Sequence, residues 1–149
     1  MFIAKCGGIV PAVQHEIAVD APSSAIYAAL TTADGLRGWN TPGVDGTGEV
    51  GTTWKLSYAG RPSFEWSIEQ SENDRLVVWR CVAGPGDSVG TDARFQIEPI
   101  EDGRCRVDVL HDGWPGTGGN FTKCNTLWGA LVFSLRRFAE TSTPAPAFT

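Results

Sequence analysis

Two short stretches of the chain spell out patterns that bind nucleotides or cleave esters, and both lose that reading to their neighbours. Gly46-Thr47-Gly48-Glu49-Val50-Gly51 is a literal G-x-G-x-x-G. A dinucleotide's pyrophosphate needs that pattern between a strand and the free N–H groups that open a helix. Here the residues that follow, Thr52 to Tyr58, alternate apolar and polar as a strand does, so a tight turn between strands is predicted. Gly86-Asp87-Ser88-Val89-Gly90 is a literal G-x-S-x-G, with Asp108 and His111 following in hydrolase order. A nucleophilic serine of this kind sits on a strand-to-helix turn beneath an oxyanion hole. Ser88 instead precedes a strand in a loop rich in Pro and Gly, so no catalytic residue is assigned to it.

Both histidines, His15 and His111, fall in phase with apolar positions of alternating segments. Each is either a core imidazole satisfied by its neighbours or a polar anchor projecting into a cavity, where converging polar groups orient a ligand. His111, at a strand end near Trp114, is the better anchor. Two histidines without ligand spacing or clustered carboxylates do not make a metal site, and no cofactor is expected. The six tryptophans are the strongest compositional oddity. Either they line a cavity for a flat apolar molecule or they plug the space between a sheet and a helix. An empty void of ~300 Å³ would cost about 7 kcal/mol at ~24 cal/mol per Å³, comparable with a domain's net stability. A hole that size is either shrunk by the tryptophans or maintained for use. The side chains expected to line it are Trp39, Trp54, Tyr58, Trp66, Trp79, Phe95, His111, Trp114 and Trp128. Gly129 lies in the middle of a helical stretch, where it costs about 1 kcal/mol against alanine, and close packing is its expected reason.

The elements that must hold these side chains follow from periodicity. Val13 to Val19 alternates as a strand, and Asp20-Ala21-Pro22 breaks it into two short helical segments, Ser23 to Thr31 and about Ala33 to Trp39. Period two then continues through Trp54-Leu56-Tyr58, Phe64-Trp66-Ile68, Leu76 to Cys81, Ala93-Phe95-Ile97 and Cys105-Val107-Val109-His111. Gly60-Arg61-Pro62, Ser71 to Asp74 and Gly84 to Gly90 mark turns, and Asp102-Gly103 is a hairpin signal. One apolar and one polar face per strand means an antiparallel sheet with one wet side. Phe121, Cys124, Trp128, Leu131, Leu135 and Phe138 step instead by three and four, an amphipathic helix whose apolar stripe must cover the sheet's inner face. The fold class is thus α+β, a curved antiparallel sheet of six to seven strands around one long C-terminal helix. The domain spans residues 13–140, with a loosely ordered lead over 1–12 and a disordered tail over 141–149.

This order resembles the helix-grip fold of the START-like and birch-pollen-allergen-like superfamily, SRPBCC. Ala21-Pro22, then Ile26 to Thr32, Gly35-Leu36 and Trp39, looks like the opening of its heat-shock protein 90 ATPase activator-like branch. His111-Asp112-Gly113-Trp114, then Asn125, Trp128 and Leu131, looks like that branch's final strand and helix. The resemblance implies a small hydrophobic, aromatic or lipid-like ligand between sheet and helix. It also leaves open a cyclase- or hydrolase-like enzyme using His111 or Tyr58 as acid or base, and an interaction module whose partner is a chaperone or other protein.

Bulk properties limit the partners. The 149 residues carry a net charge of −5, and Arg136-Arg137 is the nearest approach to a basic stripe, so nucleic acid is not an expected partner. No apolar run reaches the ~18 residues a membrane span needs. The opening residues, with Lys5 before Cys6, lack an export pattern. Cys6, Cys81, Cys105 and Cys124 are scattered, which fits reduced thiols and a cytoplasmic setting.

Overall fold

The computed structural model describes residues 11–149, so the expected loose lead lies almost wholly outside the described residues. Seven strands form one antiparallel sheet: β1 (Val13–Val19), β2 (Gly43–Asp45), β3 (Thr53–Tyr58), β4 (Arg61–Glu72), β5 (Leu76–Ala83), β6 (Asp92–Pro99) and β7 (Cys105–Asp112). Their spatial order is β1-β7-β6-β5-β4-β3-β2, so the sheet runs as hairpins except where the first strand joins the last. Among the described residues three α-helices accompany it: α1 (Ser23–Thr31), α2 (Ala33–Trp39) and α3 (Asn120–Thr141). This is the α+β architecture that the two periodicities predict, in the helix-grip arrangement that the resemblance implies.

The inner face is built by alternation. Trp54 and Leu56 of β3, Trp66 and Ile68 of β4, and Ala93, Phe95 and Ile97 of β6 are all buried, while Thr53, Lys55, Arg94 and Gln96 point the other way. Against this face α3 presents Cys124, Trp128, Leu131, Val132 and Leu135. Local chemistry fixes the ends. Thr32 accepts the Gly35 N–H at 2.9 Å and caps α2. Asp102 and Gly103 both take positive φ, 59° and 71°, as a tight hairpin between β6 and β7 requires.

Three expectations need correction. The short strand β2 was not foreseen, because three residues are too few to show a period. The turn after β3 is made by Ala59 and Gly60, and Arg61-Pro62 already belong to β4. The tail is ordered rather than loose. Its backbone donates from Ala145 to Gly38, from Ala147 to Trp39 and from Phe148 to Asn40, at 3.0–3.1 Å, and the Thr149 carbonyl accepts from Ala59 at 2.6 Å. Pro and Ala gave no periodic signal there, but backbone groups alone suffice to dock such a segment.

Both motif loops have steric explanations. Gly48, at φ 90°, lies so close to the Thr31 carbonyl oxygen that a Cβ would overlap it, and β3 rather than a helix follows. Ser88 ends a single 3₁₀ turn (Gly86–Ser88) ahead of β6 and is fully buried, its Oγ without a partner among the described residues. Asp87 beside it has a clearer task, accepting the N–H of Asn120 at 3.3 Å where α3 begins.

Candidate functional site

Between the N-terminal half of α3 and the β3–β5 side of the sheet lies a cavity of about 540 Å³. Trp66, Trp79 and His111 form its sheet wall, and Cys124, Leu127, Trp128 and Leu131 its helix wall. Tyr58, Phe64 and Phe148 close one side, Phe148 being carried there by the docked tail. Rings touch continuously around it. Phe64 stacks on Trp66 with centroids 5.7 Å apart and planes 8° from parallel, and Trp66 meets His111 edge-on at 5.5 Å.

The imidazole of His111 is fully committed. Trp128 Nε1–H donates to Nδ1 at 3.0 Å, and an indole nitrogen can only donate. The other nitrogen lies 2.7 Å from Thr91 Oγ1, whose single proton is already given to the Ser88 carbonyl at 2.6 Å. His111 therefore holds its proton on Nε2 and donates it to Thr91. This neutral form is enforced twice over. Burial pushes its pKa down to about 4, and a second proton on Nδ1 would face the Trp128 N–H. The satisfied-core reading of His111 thus describes its bonding, although its ring still borders the cavity.

Other cavity groups are held equally far from titration near neutrality. Tyr58 donates to Asn40 Oδ1 at 2.8 Å, and burial raises its phenol well above the usual range. Burial pushes the Cys124 thiol up to about 11, so no thiolate stands ready as a nucleophile. Acid–base catalysis works best with a group poised near the operating pH. Among the described residues, no three His, Cys, Asp or Glu side chains cluster as metal ligands would.

Five of the nine expected lining residues meet at this cavity: Tyr58, Trp66, Trp79, His111 and Trp128. Four do not reach it. Phe95 stands behind Trp79 and Trp128, at centroid distances of 4.7 and 5.5 Å. Trp114 backs His111 at 4.6 Å and donates to its carbonyl oxygen. Trp39 is fully buried with its Nε1 donating to Ala29 O at 2.7 Å, and Trp54 is fully buried beneath the Gly46–Gly48 turn. His15 lies elsewhere, half-buried, with Nε2 3.1 Å from Asn125 Oδ1. A Cβ on Gly129 would sit 3.8 Å from the His15 ring, ordinary contact distance, so close packing does not demand that glycine.

Asn40, Arg61, Lys123 and Phe148 also line the cavity and carry no inward-facing signal in the sequence. Arg61 and Lys123 showed only as polar positions, and Asn40 and Phe148 sit in segments without a period. Phe64 and Leu131, both on predicted inward faces, line the cavity as well.

No helix among the described residues is long and apolar enough to cross a membrane. No curated protein matches the chain. The solved structure of the Aha1 dimer from Colwellia psychrerythraea is similar at 31% identity and a TM-score of 0.80, covering 88% of this chain and 97% of that one. DynU16, from the dynemicin biosynthetic locus, shares the fold at 16% identity and a TM-score of 0.77, over 93% of this chain and 49% of its own. CalU16 from Micromonospora echinospora does so at 15% identity and a TM-score of 0.71, over 93% and 80%. Residues 11–143 match the family described as polyketide cyclase / dehydrase and lipid transport. By that match and by its helix-grip architecture, the chain belongs to this family of the SRPBCC superfamily, on its Aha1-like branch.

Proposed function

We propose that the protein binds a small apolar, ring-bearing molecule in the cavity between α3 and the sheet. The observation that carries this reading is the cavity's size set against its chemistry. About 540 Å³ lies within the range of small-molecule sites, and because the cavity opens at a mouth it fills with water when no ligand is present. That water faces mostly indole, phenyl and leucine surfaces, since the polar atoms of His111 and Trp128 are spent on each other. A flat apolar ligand removes those surfaces from water. The family's description includes lipid transport, and DynU16 comes from a biosynthetic locus; both accord with a ligand of this kind. An enzyme using His111 or Tyr58 fits less well, because neither is poised to exchange a proton near neutral pH. An interaction module would present a contiguous apolar patch. The exposed large apolar side chains, Val50, Val82, Val89, Ile100 and Phe133, come from five different elements and loops.

The test uses phenylnaphthylamine, a neutral probe of a naphthyl and a phenyl ring system whose fluorescence rises in apolar surroundings. Saturable binding that also raises the unfolding midpoint is expected, because a ligand of the native state stabilises it by mass action. Leu127→Trp, which adds a ring at a half-buried lining position, should weaken binding at least about tenfold by filling the space. Absence of saturable binding by the unaltered protein would refute the proposal.

A further inference from the structure

The cavity's lining holds two charged side chains, Arg61 and Lys123, and no carboxylate, in a chain with 17 acidic and 12 basic residues. Both are exposed while lining the cavity, which places them at its mouth. Arg37, Arg75, Arg80 and Arg106 are all paired with carboxylates. Neither Arg61 nor Lys123 has such a partner among the described residues.

Each is placed where structure alone gives little reason for it. Lys123 stands in the first turn of α3, the end at which the helix dipole disfavours a cation, and that turn contains no acidic residue. The nearby carboxylate of Asp87 is already bound to the backbone and side-chain amides of Asn120. The guanidinium of Arg61 lies 5.0 Å from the centre of the Phe148 ring, held over a face that accepts none of its directional N–H bonds. Phe148 is in turn fixed by the backbone bond to Asn40. The docked tail thus holds a cation at the mouth with its N–H groups unspent.

From this geometry we infer that the ligand is an amphiphilic anion: an apolar ring-bearing body inside the cavity and one carboxylate-like group at the mouth, against Arg61 and Lys123. The inference rests on the binding reading above and adds the charge of the ligand. The two charges at the mouth are opposite in sign to the protein's net charge of −5, so they favour an anion where the chain as a whole repels one.

A matched pair of probes isolates the effect. Anilinonaphthalene sulfonate and phenylnaphthylamine share one ring body and differ by a sulfonate. The quantity read is the ratio of the neutral probe's Kd to the anionic probe's Kd. Arg61→Gln with Lys123→Gln should lower that ratio by about tenfold, and each single change by about threefold, as expected for partly exposed charge pairs. Raising salt should lower the ratio for the unaltered protein and leave it nearly flat for the double variant. Lys123→Arg should keep the ratio. Arg104→Gln, on the distant β6–β7 hairpin, should keep it too. An unchanged ratio in the double variant, or an equal fall in Arg104→Gln, would overturn the inference while leaving cavity binding intact. Failure of both probes to bind the unaltered protein would overturn the binding reading and this one with it.

Discussion

Trp54 and Trp66 face each other across β3 and β4, on the same inner side of the sheet, and stand at the border of two differently filled regions. Towards α1 and α2 the space is solid: Trp39, Trp54, Ile26, Leu30 and Leu36 are all fully buried. The turn containing Gly46 and Gly48 presses directly on the Trp54 ring. Towards the N-terminal half of α3 the space opens into the cavity, which Trp66, Trp79 and Trp128 line. The same residue type therefore fills one region and walls the other. What separates them is how many elements converge, since α1, α2 and the β2–β3 turn all crowd one end and only α3 and the tail cover the other.

The largest effect that would break this comparison is a paired truncation. Trp54→Ala should cost about 3–5 kcal/mol in denaturant unfolding, the usual range for an aromatic removed from a packed site. Trp66→Ala should cost about 2 kcal/mol, because it only enlarges a space already open, while nearly abolishing probe binding. Equal losses from the two changes would mean that the regions are packed alike.

A second measurement probes the border itself, where His111 joins the cavity wall to the core. Its folded pKa of about 4 lies below the ordinary 6.5, so the unfolded chain binds a proton across that window and the folded one does not. Stability should therefore be complete above about pH 6.5 and fall by about 3 kcal/mol as pH drops to 4. His111→Phe should flatten that part of the pH profile, at lower absolute stability because the Thr91 hydroxyl and the Trp128 N–H lose their partner. A variant with the parent's full slope would mean that other groups cause it.

The smallest expected effect concerns Ser88. Its buried hydroxyl has no partner among the described residues, so Ser88→Ala should be neutral or stabilising by up to about 1 kcal/mol. Any esterase activity of the purified protein should not change. A loss above about 1 kcal/mol would show that the hydroxyl is bonded after all.

Period two identified the buried face of nearly every strand, and period 3.6 identified α3, because burial on one side is the property that both record. Alternation says which way a side chain points but not what lies across from it. Periodicity therefore cannot tell Trp39 and Trp54 from Trp66 and Trp128, though only the latter two border open space. The Thr91–His111–Trp128 chain joins residues on β7, on α3 and ahead of β6, and only His111's inward phase was visible beforehand. Asn40 and Phe148 reach the cavity through backbone docking, which any residue type can supply, so the sequence carried no sign of them.

The pairing of β1 with β7 also sets an order in time. The register joins Val13 to His111, so the first strand waits on the ribosome while everything between is made. At ~5–20 residues per second, that wait is on the order of ten seconds. The hairpins from β2 to β7 can form as they emerge, with α1 and α2 already made to cover one end of their inner face, but the rest of that face has no cover until α3 follows. The newborn sheet thus spends its first moments as an open apolar trough, in need of protection from its neighbours. The wall that turns this trough into a cavity is made after every strand is complete. A small apolar molecule present during synthesis meets the same bare face that α3 will later cover.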